Sequence, residues 1–229
     1  MTLSSSSIQL AVIDMAGTTV ADDGLVVASF EAAATAAGLP ETGPQREQAR
    51  QYVLDTMGQS KIVVFRALFG SEDVAQRANV AFEAAYEAEI DNGRATPIDG
   101  AAEAISRLRE AGMKVALTTG FSGGTQEKLL AALGWQTIAD LVLAPGDGVR
   151  GRPYPDLILT ALIRLQADSV ANVAALGDTS NDVDSALRAG CAIAAGTLTG
   201  AHDEDQLRAA GATHVVGSVA DFADLLLST

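Results

Sequence analysis

Three short stretches of this 229-residue chain concentrate carboxylates, hydroxyls and glycines: Asp14-Met15-Ala16-Gly17-Thr18-Thr19, Thr118-Thr119-Gly120 and Gly177-Asp178-Thr179-Ser180-Asn181-Asp182. Each follows a short apolar run, and in an open α/β sheet ligands bind beyond the carboxyl ends of the strands. Two carboxylates at adjacent strand ends, flanked by small hydroxyl and glycine residues, suit a hard divalent cation held through oxygen, with Mg²⁺ the obvious candidate. One carboxylate then remains free to attack phosphorus. A bound cation neutralises phosphate charge that would repel that carboxylate, and hydroxyls or backbone N–H groups at the strand-end turns, here those of Thr118, Thr119 and Gly120, grip the remaining oxygens.

Such local charge management matters because the chain as a whole is acidic. A net charge of −14 and a pI near 4.4 argue against general affinity for nucleic acid or an anionic membrane, which needs clustered Lys and Arg. Any anionic ligand must be held by a few placed groups. A single cysteine, Cys191, excludes an internal disulfide and a cysteine-rich zinc site. No apolar run approaches the 18 residues of a membrane span. The serine run at 1–7 lacks a basic leader and reads as a frayed end. The expectation is a cytoplasmic protein, a monomer or homodimer, with a small-molecule substrate.

The elements that must carry these stretches are legible as alternating apolar runs and longer helical segments, the pattern of a parallel sheet with crossover helices. The fold class is therefore α/β, with strands expected at 10–13, 115–117, 141–143, 173–176, 192–194 and 214–216, near-continuously apolar as doubly buried strands are. The alternation breaks once. Between the first and second strands, residues 21–96 contain no strand-like run. They predict a helix at 25–37, a second from 44 toward 69 broken near Gly58, and a third at 72–90 closing at Asn92 and Gly93. This divides the chain into a Rossmann-like core, residues 1–20 and 97–229, and an inserted helical lid at 21–96. Both tethers of the lid leave from the same end of the sheet, so the lid is placed to rock over it.

Along essentially its whole length the sequence resembles the haloacid dehalogenase superfamily of phosphohydrolases, and within it the phosphonatase and phosphonatase-like hydrolases. The resemblance rests on Asp14 to Thr19, Met57-Gly58-Gln59-Ser60-Lys61, Thr118-Thr119-Gly120-Phe121, Gly151-Arg152-Pro153-Tyr154-Pro155 and Gly177-Asp178-Thr179. It implies that Asp14 is the nucleophile, that Asp178 and the backbone carbonyl of Ala16 join it on Mg²⁺ with Asp182 as the second acidic position, and that Thr118 and Arg152 bind phosphate. Most phosphatases of the superfamily carry an acid two residues after the nucleophile; this chain has Ala16. In phosphonatase a lid lysine supplies the alternative, an imine with the substrate aldehyde, and Lys61 is the aligned residue. Its chemistry fits: only Lys61, Lys114 and Lys128 are lysines among 15 basic residues, and Arg could not form an imine. The phosphonatase pattern also has a His where this chain has Val64, a Tyr where it has Phe121, and a Cys with no counterpart in 25–29. The substrate stays open between a phosphonate and a phosphate monoester.

Simpler roles accompany these. Asp178 and Asp182 also suit a turn and helix N-cap, and Lys61 a solvated lid lysine. His202 and His214 have no partner at ligand spacing, and Asp203, Glu204 and Asp205 fit the first turn of a helix. Gly146-Asp147-Gly148-Val149-Arg150-Gly151 matches the dinucleotide fingerprint, yet Pro153 and Pro155 bar the helix which that motif must open.

Overall fold

The computed structural model describes residues 8–228, so the serine run at 1–7 lies outside the described residues. Six parallel strands, β1 (Leu10–Asp14), β2 (Lys114–Thr118), β3 (Leu141–Leu143), β4 (Val173–Gly177), β5 (Ile193–Thr197) and β6 (His214–Val216), form one sheet in the order β3-β2-β1-β4-β5-β6. Alternation along β1 sends Ala11 and Ile13 into one apolar cluster and Leu10 and Val12 into another, on opposite faces of the sheet. Burial on both faces is why the strands read as unbroken apolar runs.

The expected strand at 192–194 begins one residue later and runs three residues further, to Thr197. Ala195 and Gly196 carry weak strand preference; their pairing with β4 and β6 decides the matter.

Four helices fill the gap between β1 and β2: α1 (Leu25–Ala36), α2 (Pro44–Asp55), α3 (Lys61–Phe69) and α4 (Glu72–Asp91). The expected break near Gly58 is a loop over 56–60, and Pro44 opens α2 where its missing N–H leaves no bond unmade. Phe30, Phe65, Phe82 and Tyr86 form the buried centre of this layer and join Ile13 and Leu117 of the sheet in one continuous apolar cluster. The two connecting strands of chain run side by side: Ala21 N–H donates to Thr96 O at 2.9 Å and Ile98 N–H to Thr19 O at 2.9 Å.

The remaining helices, α5 (Ala101–Glu110), α6 (Gly123–Ala132), α7 (Asp156–Leu165), α8 (Ser180–Ala189), α9 (Glu204–Ala209) and α10 (Val219–Leu227), flank the sheet. Among the described residues no helix is long and apolar enough to cross a membrane.

Candidate active site

The strand order reverses between β1 and β4, and at such a switch point the following loops diverge and leave a crevice. Asp14 ends β1 and Asp178 follows β4, so the two carboxylates emerge side by side. After Asp14 the chain turns tightly: Met15 O accepts the N–H groups of Thr18, Thr19 and Val20 at 3.1, 2.8 and 2.8 Å. The Thr19 hydroxyl donates to Asp14 O at 3.1 Å. Gly17 is required twice over. Its φ of +83° favours glycine, and a Cβ there would lie 2.4 Å from Asp178 Oδ2.

Asp14, Asp178 and Asp182 are all buried and can each offer an oxygen within 4.8 Å of the others. Arg152 Nη1 pairs with Asp14 Oδ1 at 2.6 Å and with Asp182. Asp182 is also committed locally: it accepts from Thr179 N–H and hydroxyl in a capping box that starts α8. Asp178 has no such cation; its Oδ2 accepts from Ala201 N–H at 2.7 Å. Burial pushes Asp14 above the usual carboxylate range, Arg152 pulls it back and Asp182 pushes it further. Burial, then Asp14 and Asp182, push Asp178 well above that range. Three buried carboxylates with one guanidinium are a charge deficit, and a divalent cation on oxygen ligands would fill it. The residues present fit Mg²⁺.

Between the strand ends and the helical layer lies a cavity of about 220 Å³. Asp14, Ala16, Thr119, Gly120, Arg152 and Asp178 line its sheet side, and Asp22, Val26, Met57, Gly58 and Lys61 its helical side. Two residues expected at the site stand apart from this cavity. Thr118 lies opposite Asp14 in register and lines a smaller hollow with Val12, Leu157, Ile158, Arg152 and Asp182, because β2 alternates and the cavity face falls to Thr119. Asp182 reaches the acidic group only through Arg152 and the closeness of its oxygens.

Lys61 begins α3 and is partly buried, its Nζ 5.5 Å from the Phe121 ring centre and 5.7 Å from that of Phe82. Burial lowers its pKa from 10.5 to about 8, with Asp22 raising it and Arg152 lowering it. The 56–60 loop that precedes Lys61 is pressed onto the sheet. Lys61 N–H donates to Gly120 O at 3.3 Å, Asn181 Nδ2 to Met57 O at 2.6 Å and Gln59 Nε2 to Asn181 Oδ1 at 3.1 Å. Gly58, at φ +85°, lies so close that a Cβ would meet Thr179 Oγ1 at 2.3 Å. Gly58→Ala should therefore lift the loop from Thr179 and lower kcat/KM by roughly 10- to 100-fold, as a misplacement of about 1 Å does. Steady-state kinetics alongside a melting curve would check it, since the fold should survive.

Sequence reasoning missed Asp22, Phe82 and the Thr199-Gly200-Ala201 loop. The loop could have been found by its own rule: with the fifth strand ending at Thr197, these are simply the next strand-end residues. Phe82 carries only a helical-core signal, and packing alone brings it to Lys61. The simple readings of other residues match their placement. His202 Nδ1 accepts Ser180 N–H at 2.9 Å, and His214 is exposed at the start of β6. Asp203 caps α9. Gly146 and Val149 bond each other in a tight turn, and the next helix waits until Asp156.

The family model for haloacid dehalogenase-like hydrolases matches residues 8–190. A "probable phosphatase IndB" of Dickeya dadantii is 37% identical over 111 residues, 48% of this chain and 47% of that protein. A phosphonoacetaldehyde hydrolase of Lysinibacillus sphaericus is 34% identical over 134 residues, 56% of this chain and 47% of that one. The matched stretch is thus about half the length of these relatives. A phosphonoacetaldehyde hydrolase-like protein from Oleispira antarctica shares the fold, with a TM-score of 0.82 at 22% identity over 98% of this chain and 93% of that chain.

Proposed function

Because the chain belongs to the haloacid dehalogenase-like hydrolases, we propose that it is a Mg²⁺-dependent phosphohydrolase that cleaves a carbon–phosphorus bond, in phosphonoacetaldehyde or a closely related phosphonate, through an aspartyl phosphate. One observation carries this reading: Lys61 and Asp14 line one small cavity in which residue 16 offers no acid. An ester phosphatase would want a proton donor there for its leaving alcohol. A lysine facing the nucleophile instead suits a substrate with a carbonyl next to the carbon that leaves phosphorus.

In this mechanism the free amine of Lys61 adds to the aldehyde, and the carbinolamine hydroxyl takes up a proton and leaves as water, giving an iminium. Asp14 attacks phosphorus, and the electron pair of the breaking carbon–phosphorus bond flows into the iminium to give an enamine. Water then hydrolyses the aspartyl phosphate to release phosphate. The enamine takes a proton at carbon, and a second water frees the product aldehyde and Lys61. Asp14, Asp178 and the Ala16 carbonyl would hold Mg²⁺, which when bound offsets the repulsion between Asp14 and the phosphonate. Arg152 binds the phosphonate: its Nε is buried without a partner, a donor that an incoming oxygen would satisfy. Thr119, with the backbone of Gly120, lines the same wall and takes the role expected of Thr118. Asp182 orients Arg152. Residues 21–96 act as a lid over a core of 1–20 and 97–229, a reading supported by the contacts of the 56–60 loop with the sheet side.

A small phosphate monoester is the second reading, favoured by Val64 and Phe121 where the phosphonatase pattern has His and Tyr. Phosphate release measured side by side from phosphonoacetaldehyde, other phosphonates and small phosphate esters separates the two; turnover of esters alone would overturn carbon–phosphorus cleavage. Asp178→Ala is expected to weaken Mg²⁺ affinity at least tenfold in calorimetry, since it removes one of two anionic ligands. Unchanged affinity would take Asp178 off the metal.

A further inference from the structure

Imine formation requires two proton movements that Lys61 cannot make alone. Its ammonium must lose a proton before Nζ can attack, and the hydroxyl of the resulting carbinolamine must gain one before it can leave as water. The neighbourhood offers few groups for this. Val64, on the next turn of α3, is buried and apolar, and Phe121 has no hydroxyl. His202 faces a different groove with Gln51 and Leu54, and His214 lies on β6 at the sheet edge. Asp14, Asp178 and Asp182 are committed to the metal and to Arg152. Tyr86 of α4 packs against Phe121 at 4.4 Å, and burial together with Asp22 and Asp14 raises its hydroxyl beyond easy ionisation. Two carboxylates remain on the cavity wall, Asp22 and Asp23, and of these Asp23 is exposed while Asp22 is partly buried.

We infer that Asp22 is the proton-transfer residue of the Lys61 chemistry, its carboxylate taking a proton from the Lys61 ammonium and returning it to the carbinolamine oxygen as water departs. The step balances: ammonium and aldehyde become iminium and water, and Asp22 ends as it began. The role rests on the imine reading proposed above.

Asp22 and Lys61 line the same wall of the cavity, and the electrostatics of the pair agree with the role. Asp22 lies on the tether just before α1 and is fixed by Val26 N–H, which donates to its Oδ1 at 3.1 Å, so it is held by backbone and not by an arginine. Of the charges that face Lys61, Asp22 acts most strongly, ahead of Arg152 from the 151–155 loop, Asp14 from β1 and Asp178 after β4. In return Lys61 is the cation that lowers Asp22, against burial and Asp23, which raise it. Burial thus draws the two groups toward each other in acidity, which favours proton exchange between them.

The test uses the full chain with Mg²⁺, phosphonoacetaldehyde and cyanoborohydride, following Lys61 modification over time by mass spectrometry. Asp22→Asn keeps an acceptor for Val26 N–H but removes the base. It should slow adduct formation by about 10²-fold or more, within the usual range for acid–base catalysis, while Mg²⁺ affinity and melting temperature stay at the parent's values. Added formate should restore part of the rate in Asp22→Ala. Adduct formation by Asp22→Asn at the parent rate would overturn the role of Asp22 alone, as would a loss seen in Asp23→Asn in its place. Absence of any adduct in the parent would instead remove the imine reading and this role with it.

Discussion

Asp14→Asn is expected to abolish turnover, lowering kcat by roughly 10³-fold or more, as loss of a covalent nucleophile does. The amide keeps the shape of the carboxylate but is a poor nucleophile toward phosphorus, and no second carboxylate can replace it. Asp178 is angled into the Ala201 loop, and Asp182 is occupied by Thr179 and Arg152. The fold should not suffer. Asp14→Asn still leaves Arg152 its pair with Asp182, and it removes one of three buried negative charges that burial already disfavours. Melting at or above the parent temperature with activity lost is the expected pairing. Activity within tenfold of the parent at matched stability would end the covalent mechanism. With aluminium or beryllium fluoride and Mg²⁺, the parent should bind the fluoride at Asp14 and Asp14→Asn should not.

Lys61 gives the second large effect. If it forms an imine, Lys61→Arg should be nearly as inactive as Lys61→Ala, each down on the order of 10³-fold, although arginine keeps the charge, because a guanidinium does not condense with a carbonyl. Borohydride added with the aldehyde substrate should inactivate the parent and leave a secondary amine at Lys61. The pH dependence follows from burial. The attacking species is the free amine, and burial brings the Lys61 pKa from 10.5 to about 8. Therefore kcat/KM should rise with pH and level off above 8, with about a tenth of the amine free at pH 7. For a phosphate monoester Lys61 would only contact substrate: Lys61→Arg would keep much of the rate, borohydride would do nothing, and no limb near pH 8 would belong to Lys61. An active Lys61→Arg with no adduct would leave the fold, nucleophile and metal standing without carbon–phosphorus cleavage.

How much of this was legible in the sequence differs residue by residue. The six strands and the inserted helices, three with the second broken near Gly58, follow from local signals: doubly buried strands must be apolar throughout, and Gly38, Pro44, Gly58 and Asn92 mark where helices stop, break and start. Asp14, Ala16 and Asp178 are readable because a strand end has a fixed address at the ligand crevice and motif letters sit directly on it. Lys61 is readable as a rare lysine in the lid, but its acidity is not. That depends on Phe82, Phe121 and Asp22, which arrive from α4, the loop after β2 and the tether before α1.

By itself, the sequence determined the α/β class, the helical insertion after β1 and the set of carboxylates at the switch point, since these rest on periodicity and on residue types beside strand ends. Tertiary structure decided which of two neighbouring threonines meets the cavity, Thr119 and not Thr118, because side chains alternate along a strand and a single residue of register exchanges the two faces. It also decided that Asp182 is held by Arg152, and that Asp22 shares a wall with Lys61. Those two pairings join residues 30 and 39 positions apart, one between a loop and the start of α8 and one within the helical insertion, and no local spacing encodes the distance between them.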